Sequence, residues 1–400
     1  MTGWSRRCAR WPVALPLAAA AALVGSCAAP TEAPDPEAAQ TATTSAAHGP
    51  VPVGLPVDPV EIDPRALPDA FEGSSAVDPG WQNAPLESAG VFLGRSEPDG
   101  DPGSTRFTAV DATGMILWEA VHPSSSVAVL STAYDRPIVI LTLEGAAQDR
   151  LGAAAYDLAT GHYVWGPVEV PGPHSGPGLV FGSEGARTAL DATSGEVLAT
   201  DGPDETVVGE HDGSVLTVTA DELRAVGSSG PLWSVATSDV GPEGHGTVTA
   251  LRAASPPAGT ALLGRADDAA PDTGTLVDMS TGKVIATGVR EARLDTTIGI
   301  WVVLGADTLS GHRADGRLWS RAIAPEATLA AAGGALAYLR VGDAVQVVNA
   351  LTGADAVVYG PPGPLGLAVP SVVSRSGAAV VRTDRILLLA VEPPPADEPE

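Results

Sequence analysis

Cysteine is almost missing from this chain of 400 residues; the two present are Cys8 and Cys27. Everything after residue 27 can therefore form neither a disulfide nor a thiolate metal site, and it holds no cysteine nucleophile. Lysine occurs once, at Lys283, against 21 arginines. Lys283 follows Gly282, but no phosphate-loop glycine pattern precedes it, so it reads as a turn residue. The histidines, at 48, 122, 162, 174, 211, 245 and 312, never take a His-x-x-x-His spacing, which argues against a zinc site. No Gly-x-Ser-x-Gly elbow occurs, and no run of apolar residues at helical spacing is long enough for a helix pair.

Acid, glycine and proline are abundant. Asp and Glu number 48 against 22 Lys and Arg, giving a net charge of −26. Such a surface repels nucleic acid and anionic lipid headgroups and keeps the protein in solution. Gly (46) and Pro (36) are too frequent for a helical array.

One short pattern recurs seven times: an apolar strand, a turn ending in glycine, then a second apolar strand. The turn glycines are Gly114, Gly161, Gly195, Gly230, Gly282, Gly316 and Gly353. Asp or Asn precedes the turn at Asp111, Asp157, Asp191, Asp278 and Asn349, where its side chain can accept from amides two residues on. Glycine supplies the positive φ of a tight hairpin. The spacings of 47, 34, 35, 52, 34 and 37 residues match the four-stranded blade of a β-propeller. After the last repeat, residues 378–381 and 385–391 read as two further strands. With a strand from before Phe92 they would make an eighth blade and close the ring, removing open sheet edges. The expectation is an all-β, single propeller of seven to eight blades, with eight favoured, over residues 63–391.

The pattern apolar-Asp-x-x-Thr-Gly-x-x-x-Trp resembles the repeat of the PQQ-like, or quinoprotein-dehydrogenase-like, β-propellers. The resemblance covers roughly residues 85–391 and is strongest at 109–118 and 155–165. It implies that the turn joins the third and fourth strands of a blade. It also implies that Trp118, Trp165, Trp233 and Trp319 pack between neighbouring blades. Residues 197–198, 284–285 and 357 do not supply that tryptophan. The quinone-dependent members hold PQQ against a vicinal disulfide and a calcium ion; this chain has no adjacent cysteine pair.

Arg6, Arg7 and Arg10, followed by the apolar stretch Val13 to Val24, read as a secretory signal too short to span a bilayer. Val24-Gly25-Ser26-Cys27 resembles a bacterial lipobox, with Cys27 as the lipid attachment site. Ser5-Arg6-Arg7 also resembles a twin-arginine signal, although Ala9-Arg10 stands where apolar residues are usual. Residues 1–26 are expected to be the signal, 27–62 a disordered Ala/Pro/Thr-rich tether, and 392–400 an acidic Pro-rich tail. The location that follows is extracytoplasmic, lipid-anchored to the cell membrane.

No catalytic, cofactor-binding or metal residue stands out. The acidic loops 96–103 and 266–274 have oxygen ligands of the kind calcium takes, without the alternation of a dedicated calcium loop. The expected function is a non-catalytic binding or scaffold module in the cell envelope. Its partners would be the membrane, through the lipid, and an envelope protein, peptide or wall ligand; nucleic acid and cofactors are not expected. The alternative is a PQQ-dependent extracytoplasmic oxidoreductase, and a weaker one a hydrolase or lyase acting on envelope glycans.

Overall fold

The computed structural model describes residues 48–98, 100–144, 151–240, 248–251, 256–265, 273–361 and 366–391. The expected signal, Cys27 and the tail 392–400 lie outside the described residues.

The described strands pair into eight antiparallel sheets, the blades of one propeller. Each sequence repeat is the hairpin between the third and fourth strands of a blade. In blade 1 it joins Ser104–Asp111 to Met115–Pro123, and in blade 2 Leu151–Asp157 to Tyr163–Val170. First strands converge on the axis: Glu291–Asp295 lies against Thr328–Gly333, which touches Pro370–Val373. Fourth strands form the rim. Two blades are thinner. Blade 3 has Val180–Phe181, Thr188–Leu190 and Val197–Thr200, with its innermost strand reduced to a bridge from His174 to Phe181. In blade 7 the outermost strand is reduced to a bridge from Val348 to Asp355.

The core lies between blades. Both faces of a blade are covered, so inner strands are continuously apolar instead of alternating, as at Ile138, Val139, Ile140 and Leu141, all 2% exposed or less. Ile140, Ala155 and Trp165 of blade 2 pack on Leu179, Phe181 and Leu190 of blade 3.

The ring closes as the eighth blade. Pro370–Val373, Ala379–Arg382 and Ile386–Ala390 pair in order, and Ser75–Val77 adds beside the last of them, Ser75 opposite Ala390 and Val77 opposite Leu388. An N-terminal strand completing a C-terminal sheet ties the chain's two ends together.

The expected tether 27–62 needs correction at its end. His48–Pro56 is a fifth strand on the rim of blade 1, antiparallel to Met115–Pro123. Composition hid this, because Pro50, Pro52 and Pro56 look like linker; on an outermost strand a missing N–H is tolerated. The chain then bridges Val77 through Pro59 and Tyr359 through Pro68. Along this path Leu67 and Phe71 are buried with Val369 and Leu387. Residues 48–77 thus strap the seam where the ring closes.

The repeat tryptophans pack between blades, as the resemblance implied, and the structure shows how. The indole N–H of Trp118 donates to the Leu158 carbonyl of the next blade at 2.8 Å. Trp165 donates to Ala192 at 2.8 Å, Trp233 to Met279 at 3.1 Å and Trp319 to Ala350 at 2.9 Å. Each acceptor directly follows the Asp or Asn of a five-residue turn. That side chain accepts from the second and third amides along: Asp157 takes Ala159 at 3.1 Å and Thr160 at 2.8 Å. The amides face inward, and the intervening carbonyl is left for the neighbour's indole. Turns that follow a blade without the tryptophan differ. Ala199 and Ala286 hold the tryptophan's register position in blades 3 and 5. The next turns, Gly227 to Gly230 and Arg313 to Gly316, are one residue shorter, and a Cβ on Gly230 or Gly316 would meet nothing within 4 Å.

Candidate functional site

Two buried carboxylates and one half-buried near the axis are candidates for chemistry, and their hydrogen bonds tie them to the ring itself. Glu87, Glu210 and Asp295 sit in the first strands of blades 1, 4 and 6. Glu87 accepts from the Gly90 amide of its own turn at 2.9 Å. Glu210 accepts from Gly213 at 3.1 Å and, across the blade boundary, from Leu179 at 3.0 Å. Asp295 accepts from Thr297 at 3.0 Å and from Ala335 of blade 7 at 2.8 Å. Glu210 is 1% exposed and Asp295 is fully buried. Burial pushes the Glu87 carboxyl up, and it pushes Glu210 up to about 7, with Asp191 and Asp212 adding repulsion. These groups staple turns and blades together and present little surface to a substrate.

His174 and Arg293, also on inner strands, are similarly engaged. His174 donates to the Gly178 carbonyl at 2.8 Å and meets Phe181 edge-on. Burial lowers its basicity, and it lowers that of Arg293, whose guanidinium donates to the carbonyl of Ala292 at 3.0 Å.

A surface cleft of about 270 Å³ opens on blade 2. One wall is the hairpin between the first two strands, Ala128–Ala133 and Arg136–Glu144; the other is the repeat turn 157–164. Tyr134 and Asp135 fill the two-residue hairpin loop with φ of 50° and 61°. Asp suits that region; a bulky aromatic there is an outlier. Tyr134 is also 78% exposed, so no burial offsets its backbone cost. Across the cleft Tyr163 is 59% exposed, yet held: its hydroxyl donates to the Gly166 carbonyl and its ring meets Tyr156 at 74°. Arg136, exposed beside these rings, makes no ion pair with any described residue. Thr160 and His162 complete the polar lining. Asp157 also lines the cleft, its Oδ1 taking Ala159, Thr160 and the Thr160 hydroxyl.

Sequence reasoning missed this cleft. A signal was present, in Tyr134-Asp135 between two apolar runs where Asn-Gly would be usual, but it has meaning only once the strand register is known. Of the expected sites, Cys27 and residues 266–272 lie outside the described residues. In the other acidic loop, Asp101 caps its own turn, accepting from Gly103 at 3.2 Å and the Ser104 hydroxyl at 2.6 Å. Among the described residues no three His, Cys, Asp or Glu gather as metal ligands.

No protein-family model matches the chain, and no curated protein matches it. Among solved structures it is similar to dihydro-heme d1 dehydrogenase NirN in complex with DHE, at 16% identity over 82% of each chain and a TM-score of 0.42. It is also similar to Hsv2 of Kluyveromyces lactis, at 9% identity over 74% of this chain and 86% of that one, with a TM-score of 0.33. The eight blades rest on this chain's own strand pairings.

Proposed function

We propose that this chain is a non-catalytic binding or scaffold propeller of the cell envelope, held at a membrane by a lipid on Cys27. The observation that carries the reading is how its polar groups are used. Glu87, Glu210 and Asp295 are committed to backbone amides of the ring, whereas Arg136, with no ion pair among the described residues, is exposed in a cleft that Tyr134 and Tyr163 also line. Groups that take part in a reaction need access to a substrate; groups that hold a ligand need exposure and rigid support. The PQQ-like character of the repeat enters the proposal through packing alone, because the indole–turn contacts give Asp, Gly and Trp their roles with no ligand required.

Metabolic labelling with an alkyne fatty acid tests the anchor. Label and membrane retention are expected in the native chain, and both should vanish in Cys27→Ala; a Cys27→Ala protein still held at the membrane overturns it. Calorimetric titration with PQQ and Ca²⁺ tests the non-catalytic part. No heat is expected, and saturable binding would restore the oxidoreductase alternative.

A further inference from the structure

We propose that the blade 2 cleft is a binding site for a small acidic sugar, a single pyranose ring bearing a carboxylate, with Arg136 taking the carboxylate and Tyr134 and Tyr163 taking the ring. The inference deepens the binding role proposed above and rests on it.

Two features converge on this cleft. The first is charge. In a chain of net charge −26, Arg136 is an exposed guanidinium with no ion pair among the described residues, and it is the one such arginine that lines this cleft beside two exposed tyrosines. Its planar fork fits a carboxylate through two parallel hydrogen bonds. The second is the pair of aromatic rings. Tyr134 and Tyr163 expose 78% and 59% of their surface across one small space. Exposed tyrosines offer a flat apolar face with a polar tip, which matches the C–H face and hydroxyl rim of a pyranose. The backbone at Tyr134 is set by the turn: Ala89 holds φ at 51° and Asp212 at 49° at the same place in blades 1 and 4, so the hairpin itself imposes the 50° that points Tyr134 outward.

Size and rigidity narrow the ligand. At about 270 Å³ the cleft lies below the range of drug-sized sites, so it takes one ring and its substituent, not an oligomer. The opposite wall is preset: Tyr163 is anchored to Gly166, and the Asp157 turn holds the backbone from Thr160 to His162. A peptide adding to the rim strand as a β-strand fits less well, because Pro167 removes an amide from Tyr163–Val170 and register shifts interrupt that strand.

Titration calorimetry of the folded chain with galacturonate, galactose and a capped acidic dipeptide separates these cases. Galacturonate is expected to bind saturably in the millimolar range, at least about tenfold more tightly than galactose, since the carboxylate contact is worth a factor of that order. Arg136→Gln should abolish the preference for the acid. Tyr134→Asn should weaken both sugars about tenfold while leaving the melting temperature equal or higher, because Asn accepts a positive φ. Galacturonate that gives no saturable heat at tens of millimolar, or binding unchanged in both variants, overturns the proposal. Tighter binding of the dipeptide than of the sugar also overturns it. Such failures leave the Cys27 and PQQ experiments untouched, so the sugar site can fall while the scaffold reading stands.

Discussion

The ring of Trp165 lies so close to Gly195 that a Cβ on the glycine would sit 2.5 Å from the indole, while the same indole donates to Ala192 at 2.8 Å. One blade's tryptophan and the next blade's turn are a single packing unit. Trp165→Ala should therefore destabilise by about 3–5 kcal/mol, the usual cost of emptying an aromatic site. Gly195→Ala should destabilise the native chain strongly and the Trp165→Ala chain less, because the clash is gone. Urea denaturation of the four chains in this double-mutant cycle measures the coupling, expected at about 1–3 kcal/mol.

Glu210 makes the ring sensitive to alkali. Its folded pKa of about 7 lies above the ordinary glutamate value of 4.5, so the unfolded chain gives up its proton first as pH rises. The stability linked to this group is present below about pH 4.5 and lost as pH rises through 7, on the order of 3 kcal/mol in all. Glu210→Gln should flatten that part of the profile. Urea midpoints at pH 5 and pH 8 for both chains provide the check, and a parallel decline in the two would refute the assignment.

His122 acts in the opposite direction. It is 2% exposed, neither ring nitrogen has a partner among the described residues, and burial lowers its pKa below 6.5. The unfolded chain therefore takes up a proton first as pH falls, and stability is lost on acidification through that window. His122→Leu should stabilise by about 1 kcal/mol at pH 7.5, since an orphaned polar group is replaced by an apolar one, and by more at pH 5. Thermal melts at the two pH values measure the difference.

Tyr134→Gly offers a test of backbone strain separate from any ligand. Relief of the positive φ should offset glycine's added unfolded-state entropy and leave stability within about 1 kcal/mol of native. An ordinary exposed Tyr→Gly change with no strain to relieve would cost more. Guanidinium denaturation of this variant alongside Tyr134→Asn reads the strain directly.

The strap can be divided by truncation. A chain starting at residue 57 loses the fifth strand and bares the edge of Met115–Pro123, so it should fold but self-associate, as seen by light scattering. A chain starting at residue 79 also loses Ser75–Val77, the closing strand of blade 8, and should not give a cooperative transition.

By itself the sequence determined the class of fold. Seven glycine-ended turns at blade spacing leave one architecture, because turn geometry and strand propensity are local properties. It also showed that Trp118, Trp165, Trp233 and Trp319 hold equivalent places. Only the tertiary structure decided which turns receive those tryptophans and why Gly227–Gly230 and Arg313–Gly316 are shorter: the reason is what the preceding blade presents, up to 46 residues away, as from Trp233 to Met279. It alone placed His48–Pro56 on a rim, since an outermost strand tolerates the prolines that spell linker in one dimension. The cleft was illegible for the same physical reason. Tyr134 and Arg136 belong to one hairpin and Tyr163 to another, and only sheet pairing brings two exposed rings and a guanidinium with no ion pair among the described residues to one surface.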